Sequence, residues 1–228
     1  MLDIREGQVE AIGASIHYQV SGHGPTLLLL ADADGDAGAF DHLGPQLTGF
    51  TLVTFDRRGQ RRSPIDDPTE PIGVATHADD AARVLVAVTT HAARVLGVGV
   101  GAVIGLELVA RHPHRVSALV AFEPALPSLL DDDAPHGDDV AGAEGALFGA
   151  YAIDAVALRA SHVRIVPGVS HARRGTSTHR VAAALGRRLH EPLIEFDGDP
   201  AARSVRPQLF ASELAAILHS LAPSDGTA

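Results

Sequence analysis

Cysteine is absent from the 228-residue chain, which excludes disulfides, thiolate metal ligands and a cysteine nucleophile together. Lysine is absent as well, since all 18 basic residues are arginine. A Schiff-base lysine and a Walker-type phosphate lysine are therefore excluded. No basic-then-apolar stretch opens the chain, so no signal peptide is expected. The longest apolar run, 95–106, is too short to span a bilayer and leads straight to Glu107. Positive charge is in deficit: the formal net charge is −10, which repels nucleic acid and anionic lipid. The 13 histidines contain no H-x-x-x-H or H-E-x-x-H pattern, so no zinc site is read. The expectation is a cytoplasmic protein with no cofactor, no nucleic-acid partner and no membrane partner. A small-molecule ligand and a protein partner both stay open.

What is present is an alternation of strands and helices. "EAIGASIHYQV" reads as two short strands, and "TLLLLA", "TLVTF", "ARVLGVG", "VSALVAF", "HVRIV" and "PLIEF" as buried ones. Ala81, Val84, Leu85 and Val88 recur at helical spacing, as do Phe210, Leu214, Ile217 and Leu218. Helix 101–111 is apolar nearly all round and should be central. Such a pattern implies a mostly parallel sheet covered on both faces, with ligands at the carboxyl ends of its strands. The segment 124–160 interrupts the alternation, with an acidic run at 131–139 expected to be a solvated loop and one helix expected near 143–158.

The glycine run "VLGVGVGAVIG" (95–105) admits two readings. Gly97–Ala102 satisfies G-x-G-x-x-A after a strand and before a helix, and Glu123 ends the next strand, as in a site for NAD(P) or FAD. The second reading rests on more of the chain. "TFDRRGQRRSP" followed by "VLGVGVGAVIGLELVARHPHRVSALVAFEP" resembles the α/β-hydrolase superfamily, from about Ala14 to Leu221 and most strongly over 55–124. That resemblance implies an α/β-hydrolase-like fold with a mostly parallel sheet, helices on both faces and a reduced cap. It also implies a single domain over 1–228, with its core at about 8–123 and 161–222 and its cap at about 124–160.

On the same resemblance, Gly97–Gly101 is the nucleophile elbow and Gly99 stands where the serine belongs. An elbow residue needs positive φ, which glycine adopts without steric cost. Asp199 stands near the usual histidine position and His171 near the usual acid position. Asp32 and Ala33 fall in the loop that normally helps to form the oxyanion hole. Asp32, Asp34 and Asp36 are expected to be exposed loop carboxylates; their spacing also suggests a calcium loop, but Ala37 and Leu43 replace its glycine and glutamate. Val100, Glu123 and Ser170 complete the list of pocket candidates. Glu123 is either functional or an anchor for nearby backbone, His171 either a relocated base or a surface residue, and Asp199 either a ligand contact or a turn aspartate. Asp56, Arg58 and Gly59 are expected to hold their own loop together, and Ser63 lacks a visible histidine partner.

Three functions remain open on this reading. The first is a triad-less α/β-hydrolase-fold protein that binds a small molecule or partner without hydrolysis. The second is an enzyme on the same fold, either a lyase, isomerase or cyclase using carboxylates for proton transfer, or a hydrolase with displaced residues. The third is an oxidoreductase holding NAD(P) or FAD at Gly97–Ala102.

Overall fold

The computed structural model describes residues 4–32, 37–70, 72–130, 148, 151–200 and 207–221. Ala33, Asp34, Asp36, the acidic run 131–139 and much of segment 124–160 lie outside the described residues.

Eight strands form one sheet in the order β1-β2-β4-β3-β5-β6-β7-β8. The first two, β1 (Ile4–Ala11) and β2 (Ala14–Gly22), make an antiparallel hairpin, and β2 pairs antiparallel with β4 (Thr51–Phe55). From β4 onward every pairing is parallel: β3 (Thr26–Leu30), β5 (Ala93–Val98), β6 (Val116–Phe122), β7 (Arg164–Ser170) and β8 (Ile194–Phe196). The middle strands are apolar at nearly every position because both faces are covered. Their side chains alternate. Leu28, Leu30, Val95, Leu119 and Ala121 face one core, whereas Leu27, Leu29, Leu96, Val120 and Phe122 face the other.

The first core is roofed by α1 (Val74–Val88), α2 (Val100–Arg111) and α4 (Ser177–Leu189), with Leu158 of the short α3 (Ala155–Ala160). The second is closed by α5 (Pro207–Ser220), whose Phe210, Leu214 and Leu218 pack on Phe122 and Phe196. As its composition requires, α2 is buried along almost its whole length. Glycine makes that seat possible: a Cβ on Gly101 would overlap the Leu30 carbonyl, and one on Gly97 would lie 2.6 Å from Ala102 Cα. Asp154 and Thr176 cap α3 and α4 with their own side chains.

Three elements differ most from the sequence reading. β1 begins at Ile4, well before the expected Glu10, because hairpin register with β2 extends it to Ser21. β7 is shifted, running through Pro167-Gly168 to Ser170 instead of stopping at Val166. Parallel pairing of Ala121–Phe122 with Pro167–Gly168 overrides the local turn signal. Of the helix expected at 143–158, Phe148 is helical and α3 spans 155–160, with 151–154 non-helical between them and residues 143–147, 149 and 150 outside the described set.

Candidate functional site at the strand-to-helix turn

Parallel strands β5, β6, β7 and β8 all end on one edge of the sheet, and the turn from β5 into α2 stands at its middle. Gly99 forms that turn with φ +55° and ψ −115°. Its N–H donates to Phe122 O (3.0 Å), and its carbonyl accepts from Ala102 N (3.2 Å) and Ala125 N (3.1 Å). The sharp, positive-φ geometry expected of an elbow is present, with no hydroxyl on it.

The space beside Gly99 is filled by Asp32, which follows β3. A Cβ on Gly99 would overlap the Asp32 carboxylate, whose farther oxygen would be 2.6 Å away. Asp32 Oδ1 accepts the N–H of Val100, the first residue of α2, at 2.8 Å. Helix N-termini present unsatisfied N–H groups and a positive dipole end, so a carboxylate is stabilised there. α2 has no cap from its own Ncap residue, and Asp32 supplies that function from 68 positions away. The residue is exposed, as expected of a loop carboxylate, but one oxygen is fixed on backbone.

Glu123 follows β6 and holds φ +47°, a conformation costly for a side-chain-bearing residue. Its Oε1 accepts Ser170 N–H at 3.1 Å, and its Oε2 lies 3.5 Å from Arg173 Nε. Burial pushes its carboxyl above the ordinary glutamate value; the Ser170 N–H and Arg173 oppose the shift, while the charges of Asp199 and Asp32 add to it. Glu123 thus serves as the anchor the sequence allowed, between the ends of β6 and β7, within the field of two further carboxylates.

His171 and Ser170 point to different tasks. Ser170 is buried, and its hydroxyl accepts Ala172 N–H at 3.3 Å. The His171 side chain is 42% exposed, with Nδ1 2.5 Å from Asp197 and Nε2 3.1 Å from Glu195. Arg174 and His179 also bind Glu195, so the histidine belongs to a surface network of polar contacts at β8. Asp197 was not singled out in the sequence; "FDGDP" offers two aspartates, and the one nearer the strand, not Asp199, meets the imidazole. Its nearness to the strand end was the available signal.

The D-R-R-G loop is structural: Asp56 and Gly59 hold it together, as expected, whereas Arg58 ties it to α1. Asp56 is fully buried and accepts Ala37 N–H (2.9 Å) and Arg62 Nε (2.8 Å), while Arg58 forms two hydrogen bonds to buried Asp80 (2.6 and 2.7 Å). Ser63 is buried, donating to Asp56 O (2.6 Å) and accepting His17 N–H (2.9 Å), so its hydroxyl is committed to the scaffold. Arg57 was overlooked. Its Nη2 donates to Asp32 O (3.2 Å), and its guanidinium lies 5.9 Å above Phe148, which stacks on buried His77. Burial, with the charges of Arg57 and Arg58, takes the His77 pKa down to about 3. Among the described residues no group of three histidines or carboxylates is placed to hold a metal ion. No described helix is long and apolar enough to cross a membrane.

Sheet order, the turn after β5 and the helix behind it define an α/β-hydrolase-type protein. The model of the α/β hydrolase fold family matches residues 25–159, and the chain belongs to that family. It is 43% identical over 144 residues to the uncharacterized hydrolase YraK of Bacillus subtilis, covering 63% of this chain and 51% of YraK. The chain thus spans about half the length of the curated relatives it matches. Among solved structures, an alpha/beta hydrolase from Sphaerobacter thermophilus superposes with a TM-score of 0.74 at 19% identity, over 93% of this chain and all of the other. The thioesterase domain from the curacin biosynthetic pathway gives 0.70 at 13% identity, over 95% and 99%. Both likenesses speak to the fold.

Proposed function

We propose that this is an α/β-hydrolase-fold protein without serine chemistry, which binds a small molecule above Gly99. One observation carries the reading: the Asp32 carboxylate lies where a nucleophile side chain would project and holds the Val100 N–H. Acyl transfer at an elbow needs a hydroxyl to attack and backbone N–H groups free to receive the oxyanion. Here a fixed negative charge stands in both places. A second negative charge 4 Å from it would be opposed by about 4 kcal/mol near a protein surface. The ligand that suits this edge is neutral or cationic and offers hydrogen-bond donors to Asp32, not an ester carbonyl.

The same contact weighs against the dinucleotide reading. A pyrophosphate would have to displace Asp32 from the N-terminus of α2, and Gly97 and Gly101 are used for helix seating.

A second reading is favoured by Glu123, whose burial raises its proton affinity beside Asp32 and Asp199. A carboxyl so placed suits proton transfer without a covalent intermediate, and the relative YraK is named a hydrolase. One set of assays separates the two. Purified protein is exposed to a fluorophosphonate probe and to p-nitrophenyl acetate and butyrate, then screened by thermal shift against small amines, amides and alcohols. Binding without chemistry predicts no labelling, background turnover, and a thermal shift that Asp32→Leu removes. Saturable turnover without labelling, abolished in Glu123→Gln, establishes the second reading. Labelling of a serine overturns both.

A further inference from the structure

A cavity of about 510 Å³ lies at the opposite edge of the sheet from Gly99, between α1, the end of α2 and β1. Arg115, on its rim, immediately precedes β6, and Glu123 immediately follows it. Seven residues of strand separate the two edges by roughly 20 Å. The cavity is therefore independent of the elbow.

Its lining has two halves. One wall is apolar: Val9 of β1, then Ala82, Val86 and Ala87 of α1. Val86 is 56% exposed and presents its side chain to the cavity. The other wall carries Arg83, Arg111, Arg115, His112 and His114 against a single acid, Asp79. That acid is already engaged, with Arg111 at 2.9 and 3.0 Å and His112 at 2.7 Å. Arg83 reaches only the edge of Asp80 at 3.7 Å, and Asp80 is spent on Arg58. The Arg115 backbone N–H donates to His112 O at 2.9 Å, and its guanidinium makes no ion pair or hydrogen bond among the described residues. Within the cavity's own lining three guanidiniums meet one carboxylate, already occupied, and Arg83 keeps a 3.7 Å contact with Asp80 outside it, in a chain whose net charge is −10.

We infer that this cavity is a binding site for a small anionic amphiphile, with an oxyanion head on Arg83 and Arg115 and an apolar body along Val86, Ala82 and Val9. Arginine presents a planar fork of donors that matches carboxylate and phosphate oxygens. The volume falls in the range of small-molecule sites, which pair an apolar wall with a few placed polar groups.

The test uses the whole protein and anilinonaphthalene sulfonate, whose fluorescence rises in apolar sites. One saturable site is expected, from which decanoate or decyl phosphate displaces the dye, while decyl alcohol and decyltrimethylammonium do not. The two anions distinguish a carboxylate from a phosphate head. Arg83→Glu/Arg115→Glu should weaken dye and anion at least tenfold, and Val86→Asp should do likewise; Val86 is exposed and the two arginines half-buried, and urea unfolding checks that each variant is folded. Glu195→Gln, in the surface network at β8, should leave the affinity unchanged. Absence of saturable binding, equal displacement by the neutral or cationic chain, or indifference to charge reversal overturns the inference. None of these outcomes bears on the elbow.

Discussion

Placing a serine at position 99 should damage the protein before it helps it. The new Cβ would occupy the space of the Asp32 carboxylate, so Asp32 must swing away and release Val100 N–H. Loss of that charge-assisted hydrogen bond costs about 1.5–3 kcal/mol. A side chain at φ +55° adds strain of roughly 1–3 kcal/mol. Gly99→Ser is therefore expected to lose about 2.5–6 kcal/mol, a large part of the stability of an ordinary domain. Asp32→Gly alone should lose only the hydrogen bond. In that background the serine meets no carboxylate, and its cost falls to the strain alone. A double-mutant cycle by urea denaturation thus predicts a coupling of about 1.5–3 kcal/mol between two residues far apart in sequence. Equal costs of Gly99→Ser in both backgrounds would refute the steric reasoning, as would a single variant within 0.5 kcal/mol (roughly the noise of such measurements).

His77 makes stability depend on pH. Its folded pKa of about 3 lies below the ordinary 6.5, so the unfolded chain takes up a proton that the native state refuses. Stability is full above 6.5 and falls as pH drops toward 3, with a slope approaching about 1.4 kcal/mol per pH unit; denaturant titrations at pH 7, 6 and 5 should show it, and His77→Phe should remove it. Glu123 has the opposite sense, with a raised folded pKa, so its contribution is present below the ordinary glutamate value and is lost as pH rises through the folded one. Glu123→Gln keeps the acceptor for Ser170 N–H and should leave the thermal midpoint at pH 7 unchanged or higher. Arg58→Ala strands buried Asp80 and should cost about 3–5 kcal/mol, read by urea unfolding, while Arg58→Ala/Asp80→Ala should cost less than the sum of the single changes. Titration of NADH or FAD against the protein should give no saturable signal below about 100 μM, a free energy near −5.5 kcal/mol.

Where burial on both faces dictated composition, the sequence was easy to read. "VSALVAF" is β6 residue for residue, and "TLVTF" is β4, because a central parallel strand has room for little else. Strand ends were harder, since Pro167-Gly168 looks like a turn until β6 is placed beside it. At the candidate site, the elbow at Gly99 and the loop position of Asp32 were both legible. Their contact was not, because no local pattern joins residues whose only link is a helix N-terminus. The same limit applies to the pairing of His171 with Asp197, and to Arg57 under Asp32.

The glycines on either side of the elbow have a consequence of their own. Gly97 and Gly101 are held by contact with Ala102 and Leu30, atoms that belong to the scaffold and take no part in any reaction. At the position between them, the atoms nearest to an added Cβ are those of the Asp32 side chain instead. What limits a side chain at the elbow is therefore the carboxylate of Asp32, whereas at Gly97 and Gly101 it is the backbone of the fold itself. A glycine-rich signature around such a turn therefore reports how closely a helix sits on a sheet. Whether a bond is broken there must be read from the residue in the middle, and from whatever has moved into the space beside it.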